Sequence, residues 1–187
     1  MDQRDAVERA RRGDHDAFAY LVGGRLARLD AAARLILRDP ELARDAVQDG
    51  LVRAWRNLPS LRDPDRFDAW VHRLTVNACI DIARRRRRRA IEVEITAIHG
   101  PVTGDIASLI ADRDLLDQAL KRLDPEWRAL VVLHYYLGMP LPEAASVLGI
   151  PLGTAKSRLH RSLSAMRIAM AIDDSSVSTT VAGGQFA

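Results

Sequence analysis

Three times in this chain an Asp-Pro pair stands directly before a stretch whose apolar residues recur every three to four positions: Asp39-Pro40, Asp63-Pro64 and Asp124-Pro125. An Asp side chain accepts from the free N–H groups of a helix start, and Pro in the first turn lacks only an N–H that has no partner inside the helix. Behind the first pair Ala43, Val47, Leu51, Ala54, Trp55 and Leu58 form an inward stripe. Phe67, Trp70, Val71, Leu74, Ala78 and Ile82 do so behind the second. Trp127, Leu130, Val131 and His134 share a face behind the third, in a helix expected to run through Leu137 and stop at Gly138. Two helices come earlier: 2–12, ended by Gly13, and a longer one capped by Asp14, with Phe18, Leu21, Val22, Leu26, Leu29, Ala33 and Ile36 inward and a weak point at Gly23-Gly24. Residues 91–95 (IEVEI) alternate like a strand but are too short and isolated to make a sheet. The expected fold class is all-α.

Residues 141–167 form the most specific stretch. Ala144, Ala145, Val147 and Leu148 give a first helix its apolar face, Gly149 can take positive φ, and Ile150-Pro151 restarts the chain. In the second helix Ala155, Leu159, Leu163 and Met166 recur on one side, leaving Lys156, Ser157, His160 and Arg161 on the other. No carboxylate lies between Ile150 and Ile172, whereas Lys156, Arg158, Arg161 and Arg167 do. A basic, acid-free second helix fits a helix-turn-helix that enters the DNA major groove, and an ordinary helical hairpin with a solvated basic face is the plainer alternative. Residues 149–157 (GIPLGTAKS) are no phosphate loop: Ala155 precedes the Lys where Gly is required, and a helix, not a strand, comes before.

Between the helical stretches the texture changes. Residues 91–111 hold Gly100, Pro101 and Gly104 with little periodicity, so they read as a flexible linker. The expected organisation is a first helical domain over 1–90, the linker over 91–111, a helix-turn-helix domain over 112–170 beginning with a helix at 112–123, and a disordered tail over 171–187. The chain has 187 residues, 48% hydrophobic and 28% charged, with one cysteine, Cys79. These exclude an internal disulfide and a cysteine-based zinc site. The N-terminal residues lack the apolar core of a signal peptide, and no apolar run approaches the ~20 residues of a membrane span. A cytoplasmic protein with no membrane insertion is expected.

Two charged faces stand out. On the helix after Asp39, Asp45, Gln48, Asp49 and Val52 fall together; taken alone they read as a solvated polar strip carrying one Val. On the helix after Asp63, Arg66, Arg73, Asn77 and Arg84 line up apart from the core stripe, and the helix ends in six arginines, 84–89. Six adjacent cations repel one another. A polyanion relieves that repulsion and releases its counterions, while a frayed, solvated helix end is the alternative.

Together these motifs resemble the sigma-70 family of transcription initiation factors, in its short extracytoplasmic-function (ECF) form. The resemblance rests on 44–55 (RDAVQDGLVRAW), 67–77 (FDAWVHRLTVN) running into basic residues, 123–130 (LDPEWRAL) and 149–161 (GIPLGTAKSRLHR), in that order. It implies that the acidic face docks on the clamp helices of the RNA polymerase largest subunit through Asp45, Gln48 and Asp49, with Val52 buried on docking. It implies that Arg66, Arg73, Asn77 and Arg84 contact the −10 promoter element as an unpaired strand. Thr154, Lys156, Ser157, His160 and Arg161 then match positions that touch the −35 element. Trp55 and Trp70 fit core packing, although Trp70 stands at a family aromatic position. Arg158 fits either a phosphate contact or an intradomain pair. Pro140 stands where the family usually has a capping Ser or Thr, Ala144 where it has Ile, and Ala155 where it commonly has Val.

The implied partners are core RNA polymerase, promoter DNA and an anti-sigma protein. No cofactor, metal or catalytic residue is expected, since polymerase does the chemistry. A stand-alone helix-turn-helix regulator would account for 141–167 but not for the acidic face or the arginine run. A nucleic-acid-processing enzyme is disfavoured: the histidines have no metal-ligand spacing and no carboxylates pair.

Overall fold

A computed structural model of the protein describes residues 1–94 and 118–182, and their fold is all-α, with no strand among the described residues. The chain divides into two compact units, Met1–Ile91 and Glu92–Ala187. Among the described residues no helix is long and apolar enough to cross a membrane.

The first unit contains α1 (Gln3–Arg11), α2 (His15–Gly23), α3 (Leu26–Leu37), α4 (Pro40–Asn57) and α5 (Phe67–Glu94), with short 3-10 turns at Leu58–Ser60 and Pro64–Arg66. Capping places the starts. Asp2, Asp14, Asp39 and Asp63 each accept from a backbone N–H of the following turn, Asp39 from both Glu41 and Leu42 at 3.1 and 3.2 Å. Ala17 N–H and then Arg9 hold the Asp14 carboxyl below its ordinary pKa. Val7, Leu21, Leu29, Ile36, Phe67 and Val71 are wholly buried and form the centre of the core.

The long helix expected from Asp14 to Ile36 is instead two helices. At Gly23-Gly24 helix propensity falls by roughly 1 kcal/mol per glycine. Arg25, just beyond, fixes the break: it pairs with Asp68, donates to Gln3 Oε1 at 2.6 Å and lies 5.4 Å from the centre of the Phe67 ring. One side chain thus joins α1, the α2–α3 corner and α5. Leu26, expected inside, is exposed as a result.

Helices α4 and α5 come close together at Gly50. A Cβ there would meet the Thr75 Oγ1 at 2.7 Å and its Cα at 2.8 Å. Thr75 is buried and its hydroxyl donates to Val71 O at 3.1 Å, so it has no room to withdraw. Gly50→Ala therefore destabilises this unit by about 1–3 kcal/mol in spite of alanine's helix propensity. Thermal unfolding checks it: a Tm several degrees lower is expected, and an unchanged or higher Tm contradicts the close approach.

His72 is buried on α5, with Nδ1 2.7 Å from Asp68 O and Nε2 without a partner among the described residues. Burial, helped by nearby Arg28 and Arg25, lowers its pKa against the opposing effect of Asp68. The folded protein keeps the ring neutral to a lower pH than the unfolded chain, which takes up a proton near pH ~6.5. Below that pH the unfolded state binds more protons. Stability is thus full above pH ~6.5 and falls on acidification, by up to about 1.4 kcal/mol per unit. His72→Gln should flatten the fall in Tm between pH 7 and 5.5; equal slopes for the two proteins would refute this.

The second unit shows a helical segment at 118–121, α6 (Pro125–Val131), a π-helical turn (Val132–Tyr136), α7 (Leu141–Leu148) and α8 (Leu152–Ala182). Three expectations change here. Asp124 starts α6 through its backbone carbonyl, with no side-chain cap bond. The helix it opens widens into the π turn instead of continuing regularly to Leu137, and His134 Nδ1, 2.9 Å from Met139 O, ties that turn to the chain beyond Gly138. The tail expected to be disordered from 171 continues α8 through Ala182. No Gly or Pro interrupts the chain between Gly153 and Gly183, and extending an existing helix fixes only one residue per added hydrogen bond. For the same reason α5 runs to Glu94, into the stretch read as linker, since the next glycine after Gly50 is Gly100. The remainder of that linker, 95–111, and the start of the helix expected at 112–123 lie outside the described residues.

Candidate nucleic-acid and polymerase interfaces

On α4 the inward positions Ala43, Ala46, Val47, Gly50 and Ala54 are buried. The turn of the helix leaves Asp45, Gln48 and Val52 exposed and Asp49 half-buried along one narrow strip. Asp49 is already engaged: Arg53, one turn on, donates to it at 2.7 Å and to Asp81 of α5 at 2.9 Å. These carboxylates raise the Arg53 pKa, Asp81 most strongly. The i,i+4 spacing of Asp49 and Arg53 was visible in the sequence; the third member, 28 residues away, was not.

Beside the strip lies an apolar groove of about 1190 Å³ between the α2–α3 corner and α4, lined by Phe18, Leu26, Leu51, Val52 and Trp55 among others. Trp55 is not a core residue. It is half-buried in the groove wall, stacked on His15 at 4.5 Å and edge-on to Phe18 at 5.1 Å. Sequence reasoning missed this groove because it assigned Leu26 and Trp55 to the interior. An acidic strip bordering an apolar groove suits a partner helix with a basic flank and an apolar face.

On α5, Arg73 and Arg84 are exposed and Asn77 is half-buried. At about 100° per residue they lie within roughly 20° of one line along the helix. Trp70, half-buried with its ring centre 6.0 Å from that of Phe67, falls about 40° from the same line. Arg66 sits apart, exposed in the 3-10 turn before the helix and 3.8 Å from Asp63. A line of basic and polar side chains with a partly exposed indole beside its first member suits tracking a single strand and stacking a base.

In the second unit Gly149 takes φ 64° and turns the chain from α7 into α8. Pro140, at the start of α7, makes no side-chain cap bond. Ala155, Leu159 and Met166 are buried against α6 and α7, which leaves Lys156, Ser157, His160 and Arg161 exposed and Thr154 half-exposed. Lys156 to Arg161 spans about 7.5 Å of helix, a reach of two to three base pairs. Arg158 lies 3.4 Å from Glu126 of α6, so of its two readings the intradomain pair is the one formed. Among the described residues no cluster of side chains could hold a metal ion. Cys79 is buried and its thiol pKa is pushed up to about 12 by burial, leaving it unreactive at neutral pH.

Comparison with known proteins matches both units. Residues 21–89 match the Sigma-70 region 2 family, and residues 113–166 match Sigma-70, region 4. The chain is 37% identical over 152 residues to the ECF RNA polymerase sigma factor SigM of Mycobacterium tuberculosis, covering 80% of this chain and 74% of that protein. To the RNA polymerase sigma-E factor of Streptomyces coelicolor it is 33% identical over 150 residues, covering 80% and 84%. Among solved structures, CnrH in complex with the cytosolic domain of CnrY is 30% identical, with a TM-score of 0.64 over 92% of this chain and 99% of that one. The sigma factor RpoE of Bartonella quintana shares the fold at 24% identity and a TM-score of 0.66. The α4 strip and the α5 line fall inside the first matched region and the exposed face of α8 inside the second; the chain belongs to the sigma-70 family, as an ECF RNA polymerase sigma factor.

Proposed function

We propose that this sigma factor works as a dissociable specificity subunit with three separate surfaces. The α4 strip of Asp45, Gln48, Asp49 and Val52, with the groove beside it, docks on the polymerase clamp helices. The exposed face of α8, with Thr154, Lys156, Ser157, His160 and Arg161, reads the −35 element as duplex. The α5 line of Arg73, Asn77 and Arg84, with Arg66 ahead of it, captures the −10 strand once unpaired. Binding the opened strand in preference to the duplex shifts the promoter from closed to open. The linker around 91–111 joins the two DNA-binding domains through the polymerase cleft. No side chain of this chain carries out catalysis, and the protein acts in the cytoplasm beside polymerase.

The observation that carries this reading is the segregation of charge. An acidic strip flanked by an apolar groove lies on α4, bordered at Asp45 by Arg85, Arg86 and Arg89, and the outward basic faces lie on α5 and α8. A stand-alone regulator has no use for the first. CnrH was solved bound to the cytosolic domain of CnrY, and regulation here by an anti-sigma protein that covers one of these faces fits the same pattern. The test is direct binding. The full chain mixed with bacterial core RNA polymerase should co-elute with it on size exclusion at micromolar concentration. A folded chain that elutes alone would defeat the reading.

A further inference from the structure

Six consecutive arginines cannot all face one partner, because a helix turns about 100° per residue. Measured from Arg84, Arg87 and Arg88 lie about 60° and 40° to either side, flanking the line of Arg73 and Asn77 on the same half of the helix. Arg85, Arg86 and Arg89 lie about 100–160° away. The contacts follow this division. Arg85, Arg86 and Arg89 line a groove of about 310 Å³ together with Asp39, Leu42, Asp45 and Ile82, against the start of α4. Arg86 Nη1 is 3.2 Å from Asp39 Oδ2, and Arg85 Nε is 3.3 Å from Asp81 O. All six arginines are exposed, and Arg87 and Arg88 do not line that groove.

We infer that the arginine run is two sites. Arg87 and Arg88 extend the α5 line into a track for the phosphates of single-stranded DNA, whereas Arg85, Arg86 and Arg89 balance the carboxylates at the start of α4 and contribute little to nucleic-acid binding. From Arg73 to Arg88 the track is about 22 Å long. The division also explains how the run is tolerated: Arg86 pairs with Asp39, Arg85 and Arg89 line the same groove as Asp39 and Asp45, and only the remainder needs a polyanion. This inference rests on the proposed role of α5 in capturing the −10 strand, and it adds which of the arginines do so.

The test uses two double variants of the full chain with the same charge change, Arg87→Ala/Arg88→Ala and Arg85→Ala/Arg89→Ala. Binding to a fluorescein-labelled 20-nucleotide single strand of mixed sequence is measured from 0.1 to 1 M NaCl, and circular dichroism confirms that each variant is folded. Loss of two phosphate contacts lowers the slope of log K against log salt by about 1.4 for the first variant, or about 25-fold in affinity at 0.1 M if the curves meet at 1 M. The second variant should keep the wild-type slope. Equal losses in the two, a larger loss in the second, or wild-type binding without salt dependence would overturn the division. Co-elution with core polymerase, run in parallel, separates the two failures. If the chain binds polymerase while the doubles behave alike, only this inference falls; if it does not bind polymerase, the parent reading falls with it.

Discussion

Charge reversal on α4 should abolish polymerase binding: Asp45→Arg with Asp49→Arg weakens the affinity for core polymerase at least about 100-fold, because like charges set against a basic partner helix cost several kcal/mol. Asp45→Arg alone spares the Arg53 pair. Asp45 is exposed but shares a groove with Arg85, Arg86 and Arg89, so its reversal also sets like charges together there, a cost the melt reads. Asp49→Arg also removes a partner of Arg53, which keeps Asp81; the pair is partly exposed, so this costs at most about 1 kcal/mol of stability. Titration with labelled core polymerase, beside a thermal melt, checks both parts. Near-normal affinity in the folded variant would remove α4 from the docking surface.

The second large effect belongs to α8. Lys156→Ala with Arg161→Ala should lower transcription from a −35-dependent promoter at least about 30-fold, since each side chain in good contact with a base edge contributes roughly 1–3 kcal/mol. Both are exposed and the buried side of the helix is carried by Ala155, Leu159 and Met166, so affinity for polymerase should stay within about twofold. If polymerase affinity fell in parallel, α8 would be serving the polymerase and not the promoter. Arg158→Ala is the contrasting control: it breaks the contact with Glu126 and should act on the stability of this unit.

What the sequence made legible was whatever one helix settles by itself. The carboxylates before α2 and α4 cap as their positions suggest, and 3.6-residue spacing separates buried Ala155 and Leu159 from exposed Lys156 and Arg161. It also puts Asp45, Gln48 and Val52 on one exposed strip. What stayed hidden depends on partners far along the chain. Arg25 reaches Gln3 and Asp68, which explains why a continuous apolar stripe became two helices. The need for Gly50 within α4 is set by Thr75, 25 residues on, which lies against it. Trp55 looks like core by spacing, yet the α2–α3 corner leaves it in a groove wall. The helices run on to Glu94 and Ala182, past stretches read as a linker from the glycines and proline at 100–104 and as a disordered tail from polar composition, because no Gly or Pro falls between to stop either helix. The positions assigned to DNA and polymerase rest on charge, exposure and family resemblance, and the variants above are their test.

One measurement bears most directly on the whole account. Purified chain is added to bacterial core RNA polymerase and a pool of genomic promoter fragments, and the 5′ ends of the transcripts are sequenced. The account predicts discrete new start sites, absent with core polymerase alone, that share two upstream elements at fixed spacing; Lys156→Ala/Arg161→Ala should weaken their use. A folded chain that binds polymerase yet yields no new starts, or starts with no shared elements, would contradict it.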